Sequence, residues 1–132
     1  MARGAFIEPD GDQLAALVRA AGTEPGPVVM LNLLRFEGPE GAARYAEYGA
    51  AVQPHLDRVG ASITYAGLRT QVVIGEDDDG WWDAVVLVRY PSRAAMVEMV
   101  THPDYAAVGA IRSAALSSSA LIATDPWEIE LA

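Results

Sequence analysis

Trp81-Trp82-Asp83-Ala84-Val85-Val86-Leu87-Val88-Arg89-Tyr90 contains a run, Ala84 to Val88, that is apolar at odd and even positions alike. A strand with one wet face alternates apolar and polar residues, so this run predicts a strand covered on both sides. Val28-Val29-Met30-Leu31-Asn32-Leu33-Leu34-Arg35-Phe36 repeats the pattern, interrupted only by Asn32 and Arg35. Two such runs are expected at the centre of one sheet. Downstream of the first, Pro91-Ser92 starts a helix through about Val100, His102-Pro103-Asp104-Tyr105 breaks it, and a further helical turn or two carries Arg112. Leu116 to Thr124 supplies a closing strand.

Before the Val28 strand, Asp10 or Asp12 caps a short helix over Gln13–Ala21 that ends at Gly22. After it, Gly38-Pro39-Glu40-Gly41 opens a longer helix to about Arg58, with Tyr45, Tyr48, Val52, Leu56 and Val59 at the spacing of a buried stripe. Pro54 is expected to kink this helix or restart its last turns, and Gly60 to close it. Ala61 to Gly75 reads as a β-rich segment with Gly67 as a bend or bulge, and Glu76-Asp77-Asp78-Asp79-Gly80 as a hairpin loop leading into a Trp82–Tyr90 strand.

The order is a helix followed by β-α-β-β-α-β. It predicts an α+β, ferredoxin-like fold: an antiparallel four-stranded sheet, both long helices on one face, and residues 1–26 as a helical extension to a domain over 27–132. The second face of the sheet is too apolar to meet water, so face-to-face sheet dimerisation into an α+β barrel is expected.

Composition narrows the chemistry. A chain of 132 residues fits one domain, which buries roughly 65–70% of its unfolded surface. It contains no Cys, which removes disulfides, thiolate nucleophiles and thiolate-ligated metals. All nine basic residues are Arg, so a lysine Schiff base is excluded. A net charge of -9 opposes binding to nucleic acid or an anionic membrane. The first residues lack a signal-peptide core and no apolar run approaches the ~18 residues of a membrane span, so a cytoplasmic protein is expected. No nucleotide-binding, nucleophile-elbow or metal-binding motif is visible, and the acidic run at 76–79 lacks EF-hand spacing; no cofactor and no metal are expected.

The pattern Met30-Leu31-Asn32-Leu33-Leu34-Arg35-Phe36, Tyr45-x-x-Tyr48, Trp82-Asp83, Tyr90-Pro91-Ser92-Arg93, Met99, and Tyr105 ahead of Arg112 resembles the dimeric α+β barrel proteins grouped as domain of unknown function 1330. The resemblance spans roughly Val28 to Thr124 and implies the fold and the dimer already read from periodicity, but no activity. Haem-degrading proteins share the wider architecture and pair a first-strand Asn with a Trp on the last helix and a His further along as iron ligand. Here Met99 and Val108 or Gly109 fall at those two positions, so that mechanism is not expected.

Several residues carry two readings. Asn32 is either a polar group aimed into a pocket or a structural hydrogen bond to a neighbouring strand or partner. Arg35 and Arg89, at the ends of neighbouring strands, form either a carboxylate-binding pair or salt bridges. Tyr45 is placed to send its hydroxyl into a cavity, with Tyr48 in the core. His55 and His102 titrate near neutrality, and each is expected at the surface or at a helix end. Asp83 is either a general base raised by burial or a partner for Arg112 or Arg69. Tyr105 and Arg112, seven apart, share a face if one helix carries both.

The expected protein is thus a small-molecule pocket homodimer. In the enzymatic version a cofactor-independent isomerase, cyclase or monooxygenase acts on a small apolar substrate. Asp83 or His102 moves protons there, and Asn32, Arg35, Tyr45, Tyr105 and Arg112 bind. The alternative is a non-catalytic metabolite-binding or structural dimer.

Overall fold

The computed structural model describes residues 7–76 and 81–129. Its elements run α1 (Gly11–Thr23), β1 (Val28–Phe36), α2 (Gly41–Val59), β2 (Ser62–Leu68), β3 (Ala84–Tyr90), α3 (Arg93–Thr101), α4 (Tyr105–Ala115) and β4 (Leu116–Thr124). The four strands form one sheet in the order β2-β3-β1-β4, with every neighbouring pair antiparallel. This is the expected ferredoxin-like plan, with the two apolar runs at the centre.

Local signals set the element ends. Asp10 and Gln13 form a reciprocal capping box at the start of α1, at 2.8 and 3.0 Å. Ser92 Oγ accepts from Ala95 N at 3.1 Å and starts α3. Gly60 ends α2 in the left-handed conformation, φ 77°, which a residue with a Cβ adopts only under strain. Gly41 lets the start of α2 sit against the ends of β1 and α4: a Cβ there would lie 2.7 Å from Phe36 Cβ and 2.8 Å from the Ala115 carbonyl oxygen.

Burial alternates strictly along the central strands. Val28, Met30, Asn32 and Leu34 of β1, with Ala84, Val86, Val88 and Tyr90 of β3, are buried beneath the helices. Val52 and Leu56 of α2 and Met99 of α3 complete this core. Leu31, Leu33, Val85 and Leu87 point the other way and are half-buried. Within one chain, then, only one of the two apolar faces is fully covered.

Four details differ from expectation. Pro54 lies inside one continuous helix, α2. The β-rich segment expected to Gly75 ends at Leu68, and its irregularity falls between Ile63 and Tyr65 rather than at Gly67, which stays in register with Val85. The strand read from Trp82 begins at Ala84. The turn or two after Pro103 is an eleven-residue helix that runs directly into β4. The hairpin loop expected over Glu76–Gly80 lies, from Asp77 on, outside the described residues.

Candidate functional site

A cavity of about 110 Å³, partly open to solvent, lies between the helix-facing side of the sheet and α2, α3 and α4. Most of its wall is apolar: Met30, Val86 and Val88 from the sheet, Val52 from α2, Met96 and Met99 from α3. The polar part comes from Asn32, Tyr45, Tyr48, Tyr90, Tyr105 and Arg112. Helical spacing explains the convergence. Tyr45, Tyr48, Gly49, Val52 and Leu56 form one stripe of α2, and Tyr105 and Arg112 fall on one face of α4 two turns apart.

Asn32 is 6% exposed and lines the cavity. Its Nδ2 donates across the sheet to the Val86 carbonyl at 3.3 Å, and its Oδ1 accepts from Arg112 Nη2 at 3.5 Å. Arg112 Nη1 also donates to the Ile7 carbonyl at 3.2 Å, and the guanidinium lies near enough to the Tyr45 hydroxyl for its charge to act on it. The Tyr48 and Tyr105 hydroxyls are 3.2 Å apart, and the Tyr45 and Tyr48 rings pack with centroids at 5.3 Å. Among the described residues every buried side-chain nitrogen and oxygen has a partner.

Burial pushes the Tyr45, Tyr48 and Tyr90 phenols above their ordinary range. Loss of water around the phenolate is the main cause for each. The Arg112 charge opposes the shift at all three, and the neighbouring phenols reinforce it. These groups are therefore neutral hydroxyls at physiological pH, able to donate or accept a hydrogen bond.

Of the residues expected to bind, Asn32, Tyr45, Tyr105 and Arg112 meet at this cavity. Arg35 does not line it; it sits at the irregularity in the β1–β4 pairing. Its proposed pairing with Arg89 is ruled out by the antiparallel register, which sets Arg89 opposite Val29, at the other end of β1 from Arg35.

Neither residue expected to move protons lines the cavity. Asp83 is exposed where β3 begins; its Oδ2 accepts from the Phe36 amide at 3.0 Å, while its own amide donates to the Leu34 carbonyl. It ties two strand ends together and is not a desolvated base. His102 caps the C-terminus of α3, and its Nδ1 accepts from the Asp104 amide at 3.1 Å. His55, expected at the surface or at a helix end, is buried in the last turns of α2 with its ring edge-on to Tyr105 at 6.0 Å.

Tyr48, expected in the core, lines the cavity, as does Tyr90, which carries no expected site role. Parity was the signal for Tyr90, because it shares its face of β3 with Val86 and Val88.

The fold and the cavity define a ferredoxin-like α+β protein with a small, mostly apolar chamber under its helices. The family described as Domain of unknown function (DUF1330) matches residues 38–125, and the chain belongs to it. A protein of unknown function from Rhodopseudomonas palustris is 33% identical and superposes with a TM-score of 0.83, over 95% of this chain and 99% of that one. A dimeric ferredoxin-like protein of unknown function from Jannaschia sp. CCS1 has 15% identity and a TM-score of 0.58, over 76% and 100% of the two chains. A hydroxynitrile lyase from Passiflora edulis has 11% identity and a TM-score of 0.60, over 81% and 99%. At such identities these last two share the fold alone. No match was found among curated proteins. No helix among the described residues is long and apolar enough to cross a membrane.

Proposed function

We propose that this chain is a cytoplasmic homodimer whose protomers each bind one small, mostly apolar organic molecule in the cavity beneath the helices. The observation that carries the reading is the contrast within the cavity wall. Aliphatic and thioether side chains surround a single guanidinium whose hydrogen bonds run to neutral oxygens. Such a wall holds an apolar body by exclusion from water and fixes its orientation through a few polar contacts.

Volume supports the size class. A cavity of ~150 Å³ accommodates benzene, so 110 Å³ suits a body of about four or five non-hydrogen atoms, with longer molecules reaching out through the open side. Binding is favoured over proton transfer by Asp83 or His102, because neither reaches the cavity. The neutral phenols suit the orienting of an oxygen function.

Dimerisation is supported by the uncovered sheet face. Leu31 pairs with Leu87 and Ile122 across neighbouring strands, and Tyr65 extends this row at 57% exposure. Solved structures with this fold from Jannaschia sp. CCS1 and Bacteroides fragilis are described as dimeric.

Native mass spectrometry of protein purified from its own host tests both parts, with Gly49→Leu as the control. Gly49 lies on the cavity stripe of α2, and a Cβ added there meets no heavy atom within 4 Å, so the variant fills the chamber without a clash at Cβ. A dimer that carries a defined small mass, lost in Gly49→Leu, is the expected result. A monomer, or an added mass that survives in the variant, refutes the corresponding part.

A further inference from the structure

We infer that the molecule held in this cavity is a small aliphatic carboxylate, its anionic end on Arg112 and its chain against the methionines and valines of the wall. This rests on the pocket reading above and specifies its ligand class.

The first argument is charge pairing. The chain carries 18 acidic against nine basic residues, so most guanidiniums have a wide choice of carboxylates. Arg44 pairs with Glu40 at 3.1 Å, and Arg93 with Asp125 at 2.8 Å and Glu24 at 3.5 Å. Arg112 is half-buried, yet among the described residues its side-chain hydrogen bonds go to the Ile7 carbonyl and the Asn32 amide oxygen, with the neutral Tyr45 hydroxyl nearby. Glu8, the acidic residue next to Ile7, accepts instead from Ser113 Oγ at 3.1 Å. A partly desolvated guanidinium is favoured by a carboxylate far more than by neutral acceptors, and this one faces a chamber with room for such a group.

Donor capacity points the same way. A guanidinium offers five N–H groups in a planar fork, and the three contacts named leave at least two for a bidentate acceptor. The Tyr45 hydroxyl beside it remains a neutral group able to donate a third bond to the same oxygens. Among the described residues no acidic side chain lines the cavity, so none of them repels an anion there.

The remaining wall sets the rest of the molecule. Met30, Met96 and Met99 provide unbranched, polarizable surface, and Val52, Val86 and Val88 fill the sides. A short alkyl chain fits this surroundings, whereas a second charged group would be left without a partner.

Chemical-shift titration of the 15N-labelled protein with propanoate and with propanamide, at constant ionic strength and neutral pH, separates charge from shape. The two ligands have the same number of non-hydrogen atoms. Propanoate is expected to move amides on the α2 cavity stripe and near Arg112, and to bind at least tenfold tighter than propanamide. Arg112→Met removes that preference while keeping an apolar stem, and Arg112→Lys retains most of it, which guards against misreading a folding defect. Equal binding of the two ligands overturns the carboxylate inference and leaves the pocket reading standing. Absence of cavity shifts with either ligand overturns both.

Discussion

The two faces of the central sheet are built from nearly the same residue types and meet different surroundings. On the helix side, Val28, Met30, Leu34, Val86 and Val88 are at most 9% exposed. On the other side, Leu31, Leu33, Val85 and Leu87 are only half-buried, with Tyr65 at 57% and Ile122 at 45% exposure beside them. Burial alternates with period two, while polarity does not. The composition of a strand therefore reports that both faces are to be covered, and leaves open whether the cover comes from the same chain. The asymmetry also separates two roles: the covered face holds the cavity, and the open face is the one proposed to meet a partner.

The sharpest way to break this comparison is to place a charge on the open face. If the proposed dimer forms through this face, Leu31→Lys is expected to convert it to a monomer in sedimentation velocity, since its two-fold would bury two like charges that each lose several kcal/mol of solvation. Unaltered dimer mass would remove the sheet face from the interface. The matching change on the covered face, Leu34→Ala, should leave the mass unchanged and cost about 2–5 kcal/mol in urea unfolding, because Leu34 is fully buried.

Alkaline titration distinguishes the faces by their phenols. Tyr45, Tyr48 and Tyr90 on the covered side have raised pKa values, while Tyr65 lies on the open side. Above pH ~10 the unfolded chain releases phenolic protons that the folded chain keeps. The unfolded state then binds fewer protons, so stability falls as pH rises through this range, by up to about 1.4 kcal/mol per pH unit for each buried phenol. Ultraviolet absorbance should show these three ionising together with unfolding; early, reversible ionisation of all five tyrosines would contradict the burial. The smallest effect is expected from Gly49→Ala, which should stabilise by about 0.5–1 kcal/mol in thermal unfolding, as the helix gains rigidity and the cavity gains a methyl group. Destabilisation there would mean that the space beside Gly49 is not free.

The fold was legible because its signals are local: two-sided apolar runs for β1 and β3, Gly60 after α2, and Ser92 before α3. The length of α4 was hidden by His102-Pro103 ahead of it and by Gly109 within it, which mask a helix that its packing against α2 maintains. For the site, geometry outperformed chemical type. Tyr45, Tyr105 and Arg112 follow from the helix face each occupies, Asn32 from being the amide in an apolar strand, and all four line one cavity. Asp83 and His102 were chosen for what their groups can do, and both miss it. The same parity test would have set Asp83 aside, because the buried positions of β3 are all even-numbered. Helical spacing places His55 inside in the same way, three residues after Val52 and four before Val59 on the buried stripe of α2. Arg35 and Arg89 needed strand direction, which a list of neighbouring strands does not contain.

Arg93 has a consequence for how the molecule comes apart. Its side chain is 10% exposed, and its two acidic partners belong to segments that flank the sheet: Glu24 just after α1, and Asp125 just after β4. Helix α1 itself has no fully buried residue. Removing the guanidinium with Arg93→Met should thus release α1 as a separate opening unit, its amides exchanging with solvent deuterium well before those of β1 and β3. One buried cation would then govern the order in which the fold opens, with the sheet and its cavity still closed when the first helix has left.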